Sequence, residues 1–368
     1  MKQNNYSLYI HVPFCEKKCG YCSFYSEVIN GNKSQKEISW LNEINNQAKY
    51  LFKKLSLHST NGGILIRTLY IGGGTPSILS KNSWEALFCI LRKYFDFSEC
   101  LEATVECNPN STNEILLDYL KTQGITRISL GVQSLIDDEL KLLERIHDSK
   151  IAINAINLVR EKNFDLNVDL IFSIPNQTIR SFDYSIREVI KYANHISVYQ
   201  LTLEPDSKLY SKFGNHDFNK SGYYFYRYAQ YILNKKGFIQ YEISNFAQEG
   251  KECLHNISYW NQSQVIALGR AASGYLKNIR YKICVNGKIE LEKLSLKERS
   301  RECAILLLRT KYGINKKNFI AKFGQENFDY IENILNNMPD DLFIKNKENI
   351  SLSNRGMRVG NAIWQEII

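Results

Sequence analysis

Short apolar runs rich in β-branched and aromatic residues recur along the first 200 positions, at 8–12, 69–71, 103–106, 128–132, 166–171 and 196–201. Both faces of these runs read as apolar, the pattern expected of parallel strands covered by helices. Between them lie segments with helical spacing of apolar residues, at 84–94, 115–123, 151–162 and 182–192. Alternation of this kind predicts an α/β fold with a parallel sheet. The polar residues then separate a barrel from an open sheet. Gly72-Gly73-Gly74-Thr75-Pro76, Glu106-Cys107-Asn108-Pro109, Gly131-Val132-Gln133 and Asp169 fall at or just beyond the C-terminal ends of four different runs. Residues from several strand ends meeting on one face indicate an incomplete TIM-like (β/α)6 barrel. A doubly wound sheet would gather them at a single switch point.

Beyond residue 285 the pattern changes to helices at 296–310, 316–323 and 327–336, followed by a charged hairpin over 342–352. The chain therefore divides into a barrel, 1–285, and a small winged-helix-like domain, 286–368. Such modules bind DNA or serve as docking pieces. Here the +9 net charge, from 47 basic and 38 acidic residues, is scattered, and no basic stripe is interleaved with aromatics. No nucleic-acid partner is expected, although the excess favours acidic partners, small carboxylates included. With 44% hydrophobic and 23% charged residues the composition is globular, which excludes disorder as the main state. No apolar run is long enough to span a bilayer and no signal-like segment opens the chain, so a soluble, cytoplasmic protein is expected.

Three of the nine cysteines crowd into eight positions as Cys15-x3-Cys19-x2-Cys22, directly after the first strand. In a reducing compartment such crowding indicates a metal site rather than a disulfide framework. Structural zinc sites use four ligands, commonly as paired C-x2-C units, and the remaining six cysteines form no second pair. A 4Fe-4S cubane on three thiolates leaves one iron without a protein ligand, open to a substrate or cofactor. His255, beside Asn256, Tyr259 and Trp260, offers an imidazole next to aromatic surface, as a heme would use.

The cysteine spacing, with an aromatic before the last Cys, resembles the radical S-adenosylmethionine (SAM) superfamily. The 9–15 block, the glycine run at 72–76 and the blocks at 106–109, 130–134 and 168–171 resemble its coproporphyrinogen dehydrogenase (HemN) and heme chaperone (HemW) group. The blocks at 199–205, 241–247 and 255–260, with Leu352-Ser353-Asn354-Arg355-Gly356, point to the HemW branch. The resemblance implies a radical SAM barrel with a 4Fe-4S cluster on Cys15, Cys19 and Cys22. It also implies SAM on the open iron beside Gly73, Gly74 and Thr75. Tyr9, Glu106, Gln133, Arg145, Asp169 and Thr202 match positions that contact one of two SAM molecules in the dehydrogenases, and Tyr21 would pack against the cluster loop. His255, in an HNxxYW motif, would bind heme for transfer to an acceptor protein.

Dehydrogenases of the group carry a further Cys where this chain has Phe24, and a longer segment before the cluster. This argues for a chaperone without porphyrin turnover over the alternative, a radical SAM coproporphyrinogen III dehydrogenase performing oxidative decarboxylation. A radical SAM enzyme acting on RNA is a third reading. One departure from the family lies at Gly269-Arg270-Ala271-Ala272-Ser273-Gly274, where relatives carry Gly-Ala-Gly-Ala-His-Gly. There Arg270 adds positive charge, and Ser273 cannot replace an imidazole ligand.

Overall fold

The computed structural model describes residues 6–29, 31–55, 63–205, 207–214 and 218–368, with backbone alone at 218–221. Six strands, β1 (Tyr6–Val12), β2 (Ile64–Gly73), β3 (Glu102–Cys107), β4 (Arg127–Gln133), β5 (Asp165–Phe172) and β6 (His195–Gln200), lie side by side in chain order and all parallel. The helices between them include Lys33–Leu55, Lys81–Tyr94, Glu114–Thr122, Ser149–Glu161 and Ile179–Val189. Their starts follow local chemistry. Ser80, Asn113, Asp148 and Thr178 each accept a hydrogen bond from a first-turn backbone N–H, which satisfies donors the helix itself leaves free.

The two faces of the strands differ in a way the sequence pattern did not indicate. Leu8, Ile10, Ile71, Val105, Ile128, Leu130, Val168 and Ile196 face the helices and form the large apolar core. The alternate residues, among them Tyr70, Thr104, Glu106, Ser129, Asn167, Asp169 and Ser197, line a narrow polar lumen. The runs are thus apolar outside and polar inside. Buried polar side chains in that lumen are tolerated because they bond one another across strands. Asn167 Nδ2, for example, donates to Ser129 Oγ and Asp169 Oδ1, each at 2.8 Å.

The barrel stays open. Beyond β6 the sheet continues antiparallel through Asn245–Ala247 and Ile239–Gln240. Beyond β1 it continues through parallel Val265–Leu268 and then antiparallel Ser273–Leu276, Ile279–Ile283 and Ile289–Lys293. A second apolar cluster, with Leu308, Phe319, Phe323, Ile331, Ile350 and Ile363 among its residues, joins helices Leu296–Leu308, Lys316–Phe323, Gln325–Asn336 and Gly360–Ile367 to a three-stranded sheet. Among the described residues no helix is long and apolar enough to cross a membrane.

Candidate functional site

At the C-terminal end of β1 the chain turns into the cysteine loop, and the glycine run at the end of β2 holds that loop down. Gly74 N donates to Val12 O at 2.8 Å and Thr75 N to Phe14 O at 2.7 Å. The approach is so close that a Cβ on Gly74 would lie 2.6 Å from Phe14 O, and one on Gly73, whose φ is +112°, would lie 2.6 Å from the His11 ring. Gly74 therefore admits the Phe14 backbone and Gly73 the His11 ring, a use additional to any cofactor. Thr75 Oγ1 lies 3.5 Å from Cys15 Sγ. Further along, Gly20 N donates to Leu143 O, Leu209 N to Gly20 O, and Cys22 N to Cys19 O.

All three cysteines line one cavity of about 450 Å³ and none is in a disulfide. Burial pushes the Cys22 thiol above its usual range. No three His, Cys, Asp or Glu side chains among the described residues stand close enough to hold a single metal ion. Three free thiols around a cavity instead suit a larger cationic cluster, whose charge favours the thiolate. Arg145 stands behind them. Its Nη1 donates to Cys19 Sγ at 3.2 Å, while Nη2 donates to Asn108 Oδ1 and Gly131 O at 2.8 Å each. Burial opposes its charge, but the neighbouring Tyr21 and Cys19 outweigh that and hold the guanidinium protonated.

Gly73, Gly74, Thr75, Glu106, Gln133, Arg145, Asp169 and Thr202 line the same cavity, brought there from β2 through β6. Glu106 accepts from Tyr70 OH at 2.8 Å and Gly73 N at 2.9 Å. Burial raises its pKa to about 7 despite those bonds, and burial likewise raises that of Asp169. Two carboxyl groups short of solvation beside an open cavity favour a cationic guest. Gln133 ends β4 in the left-handed region at φ 70°, an unfavourable conformation of the sort that collects at binding sites.

Tyr21 lines the cavity and also packs on Leu143, Ile171, Leu201 and Leu209. Tyr9 does not line it. The Tyr9 hydroxyl lies 3.1 Å from His11 Nδ1, and its ring stacks on Tyr70 with centroids 6.2 Å apart. The sequence reading missed Lys17, Lys18, Asn108 and Ser129, which also line the cavity, and Tyr70, which bonds Glu106. Asn108 belongs to a strand-end block already singled out. Tyr70 sits inside a strand, where nothing local marks it.

The HNxxYW segment forms helix Leu254–Trp260, and the helix divides the motif. Asn256, Tyr259 and Trp260 line a second cavity of about 470 Å³ with Glu242, Tyr275 and Arg309. The Arg309 guanidinium sits 4.4 Å from the Trp260 ring centre. His255 lines neither cavity. It is 1% exposed and turned toward β1 and β2, stacked on Tyr70 with centroids 5.1 Å apart. The positive charges near the motif are engaged. Arg270 forms a two-pronged pair with Glu43, and Lys251 Nζ donates to Asp165 Oδ1 at 2.7 Å. Gly269 is pressed against His11 O, 2.5 Å from where its Cβ would stand.

A sequence model of the radical SAM superfamily matches residues 9–189. The heme chaperone HemW of Buchnera aphidicola subsp. Schizaphis graminum is 34% identical over 331 residues, spanning 89% of this chain and 82% of its own length. HemW of Lactococcus lactis is 30% identical over 100% of this chain and 98% of its own, and that of Bacillus subtilis 30% identical over 97% and 98%. The solved structure of Escherichia coli coproporphyrinogen III oxidase (HemN), a radical SAM enzyme, matches with a TM-score of 0.82 at 19% identity, covering 99% of this chain and 90% of that one. At that identity it speaks for the fold, including the partial barrel.

Proposed function

Because the chain belongs to the heme chaperone HemW family of the radical SAM superfamily, we propose that it binds heme and passes it to an acceptor protein while carrying a 4Fe-4S cluster with SAM. The observation that carries the cofactor part is the single cavity lined by Cys15, Cys19, Cys22, Glu106, Arg145 and Asp169. The three cysteines would ligate the cluster, which supplies an iron open to the amino and carboxylate groups of SAM. Glu106 and Asp169 favour the ammonium of that guest, and the Gly73–Thr75 segment shapes the wall against which it lies. Gln133, Arg145 and Thr202 contribute further polar contacts.

Heme would be held at the HNxxYW helix, where Tyr259 and Trp260 line the second cavity and would cover the macrocycle; His255, buried on the other side of that helix, would have to turn toward that cavity to serve as the iron ligand. Supporting this, His255 Nε2 is buried without a hydrogen-bond partner. The 286–368 segment is proposed as a winged-helix-like docking module. No porphyrin turnover is assigned, because Phe24 occupies the position of the dehydrogenases' additional cysteine.

The test is anaerobic reconstitution of wild type and Cys19→Ala, with iron and sulfide counted and spectra recorded with and without SAM and heme. Wild type should hold a cluster whose reduced spectrum responds to SAM, and should bind heme. Cys19→Ala should lose the cluster. A full iron complement in Cys19→Ala removes the ligand assignment, absence of heme binding by wild type removes the chaperone, and multiple-turnover formation of protoporphyrinogen IX establishes the dehydrogenase instead.

A further inference from the structure

The second cavity brings together Tyr259, Trp260, Val265, Tyr275 and Leu306, an apolar and aromatic wall of the kind that covers a flat macrocycle. An iron held there needs a donor that already lines the cavity. The wall offers the carboxylates of Glu242 and Glu302 and the phenols of Tyr199, Tyr259 and Tyr275. Both carboxylates are engaged. Glu302 pairs with Arg280 at 2.7 Å, and Glu242, fully buried, accepts from Ser244 N and Asn245 Nδ2 and faces Arg309 at 3.7 Å.

Among the three phenols, Tyr275 differs in having a cation on its oxygen. Arg299 Nε donates to the Tyr275 hydroxyl at 3.2 Å, and the same guanidinium rests 5.9 Å from the Phe323 ring centre. The two guanidiniums in the cavity wall are neutralised by acids, Arg280 by Glu292 and Glu302 and Arg309 by Glu242. Arg299 forms no ion pair among the described residues, so its charge is directed at the phenol. Such a partner lowers the cost of ionising a hydroxyl. The ring is also held on a rigid element, since Tyr275 lies on strand Ser273–Leu276, in register with Val265 on one side and Arg280 on the other.

We propose that Tyr275, ionised against Arg299, is the iron ligand through which the second cavity takes heme in its ferric form, with His255 remaining in its buried place. This rests on the heme reading given above and names the donor and the oxidation state. Tyrosinate is one of the ligands by which proteins hold heme iron, and a hard anionic oxygen favours ferric over ferrous iron. On binding, the phenol O–H breaks, its proton passes to water and the freed oxygen pair bonds the iron, with no change of oxidation state. Arg299 acts as a positioning residue, and loss of a group that supports a metal ligand typically weakens metal binding about ten- to a hundredfold.

The test is titration of ferric heme into wild type, Tyr275→Phe, Arg299→Gln, Arg299→Lys and His255→Gln, with visible and resonance Raman spectra of each complex and thermal unfolding to show that each variant is folded. Wild type and His255→Gln should share the charge-transfer absorption and ring modes of an iron-bound phenolate, and Tyr275→Phe should lack both. Arg299→Gln should bind about tenfold more weakly, with Arg299→Lys closer to wild type. Heme reduced with dithionite should bind wild type more weakly than ferric heme, and Tyr275→Phe should lose that preference. Phenolate modes absent from the wild-type complex, or retained in Tyr275→Phe, overturn the ligand assignment while heme binding stands. An imidazole-type spectrum in wild type that disappears in His255→Gln overturns it in favour of a turned histidine. Equal affinity and spectrum in Arg299→Gln overturn the role of the guanidinium. Wild type that binds no heme in either oxidation state removes the heme reading itself, and the proposal with it.

Discussion

Replacing Glu106 by Gln should stabilise the SAM-free protein, and the gain should depend on pH in a defined window. The carboxyl group ordinarily titrates at 4.5 and is raised to about 7 in the fold, mainly by burial. A folded pKa above the unfolded one means that the folded state favours the proton. The group's contribution to stability is therefore fully present below pH 4.5 and is lost as pH rises through 7. The 2.5-unit difference amounts to roughly 3 kcal/mol over the whole window at about 1.36 kcal/mol per unit. About 2.5 kcal/mol of this falls between pH 5 and pH 8. Gln fits the same bonds, since its carbonyl can accept from Gly73 N and its amide can donate to the Tyr70 hydroxyl, now turned round to accept. Other titrating groups are common to both proteins and largely cancel in the comparison. Urea unfolding of wild type and Glu106→Gln, followed anaerobically from pH 5 to pH 8, should show the variant gaining on wild type as pH rises. The same variant should bind SAM more weakly, because the destabilised carboxylate is what favours an ammonium guest. A stability difference that stays constant with pH would refute the reasoning.

Gly74→Ala should lower stability by about 1–3 kcal/mol through overpacking, because the new Cβ would meet the Phe14 backbone, with Phe14 O only 2.6 Å away. Iron content per chain should fall with it, and a fully loaded variant with unchanged Tm would contradict the close approach. Arg145→Gln removes a cationic donor to Cys19 Sγ. Since hydrogen bonds to cluster sulfurs and local charge set reduction potentials, the cluster midpoint should move to a more negative value in a redox titration followed by electron paramagnetic resonance. An unchanged midpoint would show that the Arg145 contact has no electronic effect.

Local pattern was enough for the elements that turn on local chemistry. The six strands and the helices Lys81–Tyr94, Glu114–Thr122, Ser149–Glu161 and Ile179–Val189 follow from apolar periodicity and from caps such as Asp148 and Thr178, because each signal lies within a few residues of what it specifies. The cysteine spacing and the strand-end polar blocks likewise marked the cavity before any geometry was known. Helix Lys33–Leu55 was missed because a buried charge, Glu37, interrupts its apolar stripe, and Glu37 is buried there only because Ser80 and Ser83, from the next helix, bond it. Strand Ile289–Lys293 is exposed throughout and leaves no alternation to read. What only the tertiary structure decided are pairings across long stretches of chain: Arg145 with Cys19, Arg270 with Glu43, and His255 with Thr68 and through it Ser7. Parallel strand pairing joins each strand to one that follows a long crossover, so register between remote segments chooses which polar residues meet inside the barrel. A single segment carries information about its own periodicity and its own ends, but none about which distant side chain will stand opposite.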